Sequence, residues 1–221
     1  LSKFGIKKKL ISLHDYNEDK IIQRIKNLVN KQIVILISDA GSPLLSDPGY
    51  KLVKHCIENK MFVTAVPGPS ALLPALQLST IPFNEFQFLG FAPKTTKSLN
   101  EFLIKVSNSK TTSVFFVSSH RIEKCIKTAI DILKNRKIAV CKEITKINEN
   151  TFIGLPVEVL QKIEKTQKGK MGEFVVVVEK SPKQSKAKEI FNKEIEGQIV
   201  KLLEKFSLTD VVEIVHKITN V

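Results

Sequence analysis

Two short segments rich in Gly and Pro carry the residues best suited to bind a small molecule. "SDAGSPLLSDPGY" (38–50) follows the apolar run "IVILI", and "VPGPSA" (66–71) follows the apolar run "FVTAV". Glycine permits backbone conformations and close approaches that other residues forbid, whereas proline fixes its own φ. Two such segments after consecutive strands would meet at the carboxyl edge of one sheet, where open α/β sheets bind ligands. The alternative is two tight turns that bind nothing.

The two segments do not belong to the common nucleotide-binding motifs. Neither contains the G-x-x-x-x-G-K-[ST] of a P-loop or the G-x-G-x-x-G of a dinucleotide fold. The predicted pocket is therefore not an ordinary nucleoside triphosphate or NAD site. Ligand contacts in it would come from backbone groups and from small side chains such as Ser42 and Ser70, whose alternative role is to cap a turn or a helix.

The proton acceptor of such a site cannot be singled out from the sequence. Asp39, Asp47, His120 and Glu143 are general-base candidates. Structural alternatives compete: Asp47 is typical of a helix N-cap, His120 of a helix start, and Glu143 of an ion pair with a nearby lysine. His14 is as readily a core or turn residue as an RNA contact. The general base stays open.

The elements that must position these residues alternate between strand and helix, which predicts α/β layering. In the first part, "KLISL", "IVILIS" and "FVTAV" are predicted strands. Asn17 is expected to cap a helix with Ile22 and Ile25 on its apolar face. Asp47 and Pro48 predict the start of a second helix, which reaches about Asn59. A third helical run ends near Leu78.

A second unit is predicted beyond a linker near Pro93, which gives domains at 1–92 and 93–181 and a tail at 182–221. The strand in "PFNEFQFLGFAPK" leads into this linker. The predicted elements that follow are a helix at 98–106, "SVFFV", a helix at 120–133, "KIAVC", the turn-rich "KINENTFIG", the helix "PVEVLQKIEK" and the strand "GEFVVVVE". After the polar connector "KSPKQSKAK", two helical patterns separate near Ser207, where "SLTD" is typical of a capping box.

The formal net charge of +13 is unevenly distributed. Residues 94–146 hold twelve Lys and Arg against four Asp and Glu, which favours a polyanionic partner such as RNA. The predicted phosphate contacts are Lys94, Lys97 and Arg121. They lie in this stretch, beside loops that are expected to open on the predicted pocket. The alternative is a solvated lysine-rich face. No metal site is predicted, and the three widely spaced cysteines are expected to be reduced and buried in a cytoplasmic protein. No apolar run is long enough to span a membrane.

The chain resembles a known family in six motifs that occur in the family's order. They are "LISDAGSPLLSDPGYKLV", "VPGPSALLPAL", "FQFLGFAPK", "SSHRIEK", "CKEIT" and "KGKMGEFVVVVE". The chain is therefore identified as similar to the RsmI family, the ribosomal RNA small subunit methyltransferases I, within the wider tetrapyrrole-methylase fold. The resemblance implies transfer of a methyl group from S-adenosylmethionine to a ribose 2′-hydroxyl of a cytidine in 16S rRNA. It also implies two α/β domains, a helical tail and a homodimer.

The same resemblance implies which residues bind the cofactor. On the first loop these are Asp39, Ala40, Gly41, Ser42 and Leu45, and on the second they are Ser70 and Ala71. Val117, Ser118, Gly172 and Glu173 would contribute from the second domain. The resemblance further predicts that the family's first strands, including a "TPIGNL"-like turn, are missing before Leu1. Val117 and Ser118–Arg121 stand where the family has "ESPHR".

Two other functions remain open at this stage. A tetrapyrrole methylase would bind the same cofactor and differ in its substrate, but the basic stretch and the "SDAGSP" string favour RNA. A module without turnover that only binds RNA or dimerises would retain the fold and lack the chemistry. The missing first strands are the best support for this module.

Overall fold

The computed structural model describes residues 1–29, 32–182 and 193–219. Contacts divide the chain into a larger unit, Leu1–Glu179, and a smaller one, Lys180–Val221. A short 3₁₀ turn at Ser2–Phe4 comes first. The helices are α1 (Glu18–Val29), α2 (Tyr50–Glu58), α3 (Leu72–Leu78), α4 (Thr96–Ser107), α5 (Ser119–Leu133), α6 (Pro156–Lys165), α7 (Lys193–Leu203) and α8 (Leu208–Thr219). The strands are β1 (Phe86–Phe91), β2 (Thr112–Ser118), β3 (Ile138–Lys142), β4 (Asn150–Gly154) and β5 (Glu173–Val178).

One five-stranded sheet organises the larger unit, in the order β1-β2-β5-β3-β4. β1 and β2 are parallel, and β5 runs antiparallel to both β2 and β3. The carboxyl ends of β1, β2 and β3 therefore meet the amino end of β5 at one edge, which we call the site edge. The predicted α/β class is confirmed. β4 is a correction, because its residues lie inside the "KINENTFIG" stretch predicted as turns; pairing with β3 makes them a strand.

Apolar side chains pack on both faces of the sheet, as a largely apolar central strand such as β5 requires. One face packs against α4, α5 and α6 around Phe115, Ile138 and Val176. The other face packs against α3 through Ala75 and Leu76. The termini of these helices fit their sequences: Thr95 caps α4 by accepting from the backbone N–H of Ser98, and α6 begins at a proline.

The first 85 residues differ from the sequence prediction. "KLISL", "IVILIS" and "FVTAV" form no strand anywhere within the described part of residues 1–85. Ile33 is 91% exposed and Phe62 is 93% exposed, so these runs are not buried either. The three strand predictions are therefore wrong in this structure, because a strand needs a neighbouring backbone to pair with. α1 is present as predicted, and Ile22 and Ile25 on its apolar face pack against α2.

The smaller unit is a pair of helices, α7 and α8, joined by a short turn. Ser207 begins α8, because its Oγ accepts from the backbone N–H of Asp210 at 3.3 Å and donates to the Asp210 carboxylate at 2.6 Å. The predicted cap at "SLTD" is confirmed. Most of the "KSPKQSKAK" connector lies outside the described residues. The predicted boundary near Pro93 stays a prediction.

Candidate functional site

The loop at 38–50 owes its shape to four residues with left-handed backbone conformation. Gly41 has φ +75° and Gly49 has φ +123°, while Leu44 and Ser46 have φ +68° and +67°. A non-glycine residue pays a conformational cost in this region, so two of them in one loop mark local strain. Strain of this kind concentrates at binding sites, where the surrounding contacts hold it in place. The side chain of Ser38 adds one such contact, since its Oγ donates to the Gly41 carbonyl at 2.8 Å.

A buried carboxylate fixes the end of this loop. Glu18 is 4% exposed, and its two carboxylate oxygens accept from the backbone N–H groups of Gly49 at 2.6 Å and Lys51 at 3.1 Å. These are free N–H groups at the start of α2, which begins after Gly49. The prediction that Asp47 caps this helix is therefore wrong, and Pro48 precedes the helix. Glu18 takes the capping role from 31 residues away.

The structure brings the two Gly- and Pro-rich loops into contact. The Ser42 Oγ donates a hydrogen bond to the Pro69 carbonyl at 3.0 Å. A Cβ placed on Gly41 would lie 3.9 Å from that same carbonyl, and one placed on Gly68 would lie 3.9 Å from the Ser42 Oγ. Gly41 and Gly68 are thus neighbours across the junction, and both are exposed. Ser42 does not cap a turn of its own; it joins the loops.

The second loop leads directly into the helix that packs on the sheet. The Ser70 Oγ accepts from the backbone N–H of Leu72 at 3.3 Å. This is the contact of a capping residue, the alternative role given for Ser70. Ala71 precedes α3 and packs against the cluster that also contacts Ile144, just beyond β3. The loop at 66–71 therefore lies next to the face of the sheet that α3 covers.

The predicted second-domain residues lie together at the site edge. Ser118 pairs with Glu173 in the β2–β5 ladder, and Val117 pairs with Phe174. Val117 is 1% exposed, so only its backbone can face a ligand. Gly172 comes directly before β5 and has φ +109°. The sheet thus brings together all four residues that the sequence assigned to this side.

Glu143 organises the middle of this edge. It has φ +49°, and its Oε1 accepts from the backbone N–H of Glu173 at 2.8 Å and from the Lys146 Nζ at 3.0 Å. The Lys146 Nζ also contacts the Glu173 carboxylate at 3.0 Å. A Cβ on Gly172 would lie 2.5 Å from the Glu143 Cγ, so only glycine fits there. Glu143 was predicted either as a base or as an ion-pair partner, and its contacts are those of the partner.

The electrostatics of Glu143 follow from these contacts. The hydrogen bond from the Glu173 backbone lowers the pKa of Glu143, and the hydrogen bond from Lys146 lowers it further. The hydrogen bonds from Lys146 to the carboxylates of Glu143 and Glu173 raise the pKa of Lys146. Both groups are therefore charged at neutral pH, and a carboxylate with a lowered pKa is a weak proton acceptor.

The remaining base candidates occupy exposed or half-buried positions. Asp39 and Ala40 are exposed at the tip of the first loop, and Leu45 is 36% exposed beside them. His120 is exposed in the first turn of α5. His14 is exposed, with its ring 6.2 Å from that of Tyr16. None of these positions identifies the base, which remains open.

The predicted RNA contacts lie where β1 leads into α4. Lys94 and Lys97 are exposed. Arg121 is half-buried instead: its Nη1 donates to the Ala92 carbonyl at 2.6 Å and its Nε to the Ser118 Oγ at 2.7 Å. Arg121 therefore connects the end of β1 to the end of β2.

The thiols are buried and unpaired, as predicted. Burial raises the pKa of Cys125 to about 12 and that of Cys141 to about 11, so neither is a thiolate nucleophile at neutral pH. Within 1–29, 32–182 and 193–219, no group of His, Cys, Asp and Glu side chains has the arrangement of a metal site. Over the same residues, no helix combines the length and apolar character needed to cross a membrane.

Sequence reasoning missed Glu18, the exposure of Phe91 and one of the two contacts of Lys146. Glu18 acts on Gly49, far along the chain, so no local pattern could reveal it. The contact of Lys146 with Glu143 is the predicted pairing with a nearby lysine, whereas its contact with Glu173 depends on the fold. Phe91 was noticed only as part of a strand. It is 53% exposed at the site edge, where the pairing of β1 with β2 is irregular.

Comparison with known proteins places most of the chain in one family of folds. Residues 3–160 match the family described as Tetrapyrrole (Corrin/Porphyrin) Methylases. The chain is 37% identical over 190 residues to the ribosomal RNA small subunit methyltransferase I of Xylella fastidiosa, covering 85% of this chain and 70% of that protein. It is 35% identical over 193 residues to the protein of the same name from Halalkalibacterium halodurans, covering 86% and 66%. The chain thus spans about two thirds of the length of these relatives.

A solved structure supports the fold independently. The chain superposes on a cobalamin biosynthetic enzyme, cobalt precorrin-4 methyltransferase, with a TM-score of 0.54 at 14% identity. The superposition covers 79% of this chain and 73% of that one. At such low identity the likeness concerns the fold alone.

Proposed function

The chain belongs to the ribosomal RNA small subunit methyltransferase I family, and on that premise we propose that it methylates a ribose 2′-hydroxyl of a cytidine in 16S rRNA with S-adenosylmethionine. The observation that carries the proposal is the hydrogen bond from the Ser42 Oγ to the Pro69 carbonyl. This bond joins two exposed, glycine-containing loops into one surface. A methyltransferase needs such a surface to hold its cofactor in a single orientation.

The chain's own groups fit the proposed cofactor. Backbone N–H and C=O groups around Gly41 and Gly68 are suited to the adenosine and the amino acid part, and Leu45 supplies an apolar wall. Asp39, Ala40, Ser70 and Ala71 complete this side of the proposed site. Backbone at Val117, Ser118, Gly172 and Glu173 forms the other side, at the site edge.

Positioning supplies most of the catalysis in the proposed reaction. When bound, S-adenosylmethionine would supply an electrophilic methyl group on its sulfonium, with S-adenosylhomocysteine as the leaving group. The protein's part is to align the ribose hydroxyl and to exclude water. Ionised Glu143 keeps Gly172 and Glu173 in place through its bond to the Glu173 N–H, so we assign it to positioning. Asp39 and His120 remain the candidates for accepting the hydroxyl proton.

Charge and composition support an RNA substrate on the small ribosomal subunit. Lys94 and Lys97 are exposed cations next to the site edge. Contacts from such residues to phosphates would be salt-sensitive and would orient the RNA without reading its sequence. We further propose a homodimer in the cytoplasm, with domains meeting near Pro93. Buried, unpaired cysteines fit a reducing compartment.

Transfer of tritiated methyl groups tests the function directly. The 221-residue chain is incubated with labelled S-adenosylmethionine and with naked 16S rRNA, small ribosomal subunits or a tetrapyrrole. The same chain extended at its amino terminus by the segment from a relative serves as a second enzyme. We expect label in the RNA of one or both ribosomal substrates, released as a 2′-O-methylated cytidine on digestion.

Two results would overturn parts of the proposal. Label confined to the tetrapyrrole would refute the RNA substrate. Absence of transfer by both chains, together with no heat on titration of S-adenosylmethionine in a calorimeter, would favour the module without turnover.

A further inference from the structure

The carboxyl end of β1 presents an exposed aromatic ring at the site edge. Phe91 is 53% exposed, although it belongs to a strand. The β1–β2 register shifts between Phe88 and Phe91, and Gly90 within this irregularity has φ +68°. A bulge of this kind re-aims the side chains that follow it. The bulge therefore accounts for a large ring that faces outward at the end of a paired strand.

The ring is held in place from one side only. Phe91 packs edge-on against Phe116, with centroids 5.3 Å apart and planes at 63°, and Phe116 in turn packs against Phe88 at 4.9 Å. Backbone pairing continues past the ring, since the Ala92 N–H donates to the Phe116 carbonyl at 2.9 Å. Phe91 is therefore supported by a neighbouring ring and offers its exposed side as a platform on which a ligand can stack.

A surface cleft opens beside this platform. Its volume is about 430 Å³, and its lining consists of Phe91, Ala92, Pro93, Lys94 and Arg121. Arg121 forms a rigid wall, because its Nε and Nη1 are bonded to Ser118 and Ala92. The cleft thus combines an aromatic ring, two small apolar residues and two cationic side chains.

The charges around the cleft select the class of occupant. Lys94 and Lys97 are exposed, and Lys124 is oriented toward the same helix start by its bond to the Thr96 Oγ1 at 2.6 Å. An aromatic ring flanked by exposed cations is the arrangement that binds single-stranded nucleic acid, by stacking of the base and neutralisation of the phosphates. An uncharged or cationic partner would not use the lysines.

We propose that Phe91 stacks on an unpaired nucleobase of the RNA substrate, while Lys94 and Lys97 contact the adjoining phosphates. The inference rests on the proposed RNA substrate and adds to it a base-binding residue that charge alone does not reveal. The platform adjoins the proposed cofactor edge, because Phe116 is followed directly by Val117 and Ser118. A base stacked there holds its nucleotide beside the reaction site.

Fluorescence anisotropy with two labelled probes separates stacking from charge. One probe is an oligocytidylate RNA of about twelve nucleotides, and the other is a ribose-phosphate oligomer of equal length without bases. The full chain is compared with Phe91→Ala, Phe91→Leu and Phe91→Trp. Phe86→Ala is the matched control, because Phe86 is 43% exposed on the same strand at the opposite edge of the sheet.

We expect Phe91→Ala and Phe91→Leu to bind the base-bearing probe about tenfold more weakly and the abasic probe unchanged, since one stacked base is lost. Phe91→Trp should keep the preference for bases. Lys94→Ala should weaken both probes and lower the salt slope by about 0.7. The leucine variant preserves apolar volume, so it decides the result if the alanine variant fails to fold.

Three outcomes would overturn the inference. If the Phe91 variants match Phe86→Ala on both probes, the ring does not stack on a base, and the methyl-transfer assay still stands as the test of the function. If the wild type binds neither probe, the proposed RNA substrate fails together with the inference. If Phe91→Leu changes the molecular mass of the protein measured by light scattering but leaves binding to both probes unchanged, the ring belongs to a contact between copies of this chain.

Discussion

Two regions of this chain contain the same kind of residues and adopt different structures. "IVILI" at 33–37 and "FVVVV" at 174–178 are both runs of β-branched and apolar residues. The second run lies entirely in β5, paired on both sides, with Val177 and Val178 fully buried. The first run forms no strand, and Ile35 within it is 76% exposed.

The difference shows that β-propensity is a property of context. A β-branched residue fits a pleated, half-buried surface, but the strand exists only where neighbouring backbones satisfy its N–H and C=O groups. β5 has β2 and β3 beside it, while the run at 33–37 has no strand beside it among the residues described. The loop that follows 33–37 is nevertheless held in place, by Glu18 and by Ser42.

The largest expected effect comes from the same substitution in the two regions. Ile138→Ala in β3 should lower the free energy of unfolding by about 2–5 kcal/mol, because Ile138 is fully buried in a strand that is paired on both sides. Ile35→Ala should change it by less than about 0.5 kcal/mol. Urea denaturation followed by circular dichroism measures both. Equal losses of unfolding free energy in the two variants would mean that 33–37 is buried in solution, which would contradict the difference between the two regions.

A smaller loss of stability is expected from substitution of a glycine at the proposed site. Gly172→Ala should cost about 2 kcal/mol of stability, because Gly172 has φ +109° and the new Cβ would lie 2.5 Å from the Glu143 Cγ. Gly68→Ala is the matched control, since its Cβ would meet nothing closer than 3.9 Å. Thermal unfolding of both variants compares them. A neutral Gly172→Ala would show that the site edge is looser than its contacts imply.

The junction between the loops should contribute about 1 kcal/mol. Ser42→Ala removes the hydrogen bond to the Pro69 carbonyl and lowers stability by that amount. We also expect affinity for S-adenosylmethionine to fall about fivefold in calorimetric titration, because the loops lose their common orientation. Ser42→Thr keeps the hydroxyl donor and should restore most of the affinity. If the threonine variant binds as weakly as the alanine variant, the hydrogen bond is not what orders the loops.

The smallest effect is a pH dependence at the site edge. Contacts in the folded state lower the pKa of Glu143 from its usual 4.5, so the stability that this group contributes is fully present above that value. It is lost as the pH falls through the lowered folded pKa. Glu143→Gln should therefore be less stable than wild type at pH 7, and the difference should shrink below about pH 4.5.

Urea unfolding of both proteins between pH 7 and pH 3 measures this difference. Lys146→Gln retains the bond from the Glu173 backbone, which is the main cause of the lowered pKa, and should keep part of the pH dependence. A difference that stays constant over the whole range would contradict the ionised state of Glu143.

The sequence predicted the sheet unit well, because its signals are local. "PVEVLQKIEK" coincides with α6 at both ends, and "GEFVVVVE" contains β5. β4 was missed, because pairing with β3 overrides the turn-forming residues around it. The strands before residue 85 were wrongly predicted, because propensity carries no information about whether a partner is present.

The sequence located the two loops but not the contacts between them. Both loops were predicted from their Gly and Pro residues, because left-handed backbone conformations favour glycine and a fixed φ requires proline. The Ser42–Pro69 bond, the cap from Glu18 and the position of Phe91 depend on the tertiary fold. Asp47 was assigned as a cap because Asp before Pro is a common helix start, and the distant Glu18 displaced it.

Hydrogen exchange with and without the cofactor tests the central claim most directly. The chain is incubated in deuterated buffer with saturating S-adenosylmethionine, and exchange is followed by mass spectrometry of its peptides. The account predicts slower exchange in peptides covering both 38–50 and 66–71, and in those covering 117–118 and 172–173, with no change in α1. Protection of only one loop, or protection elsewhere with both loops unchanged, would contradict it.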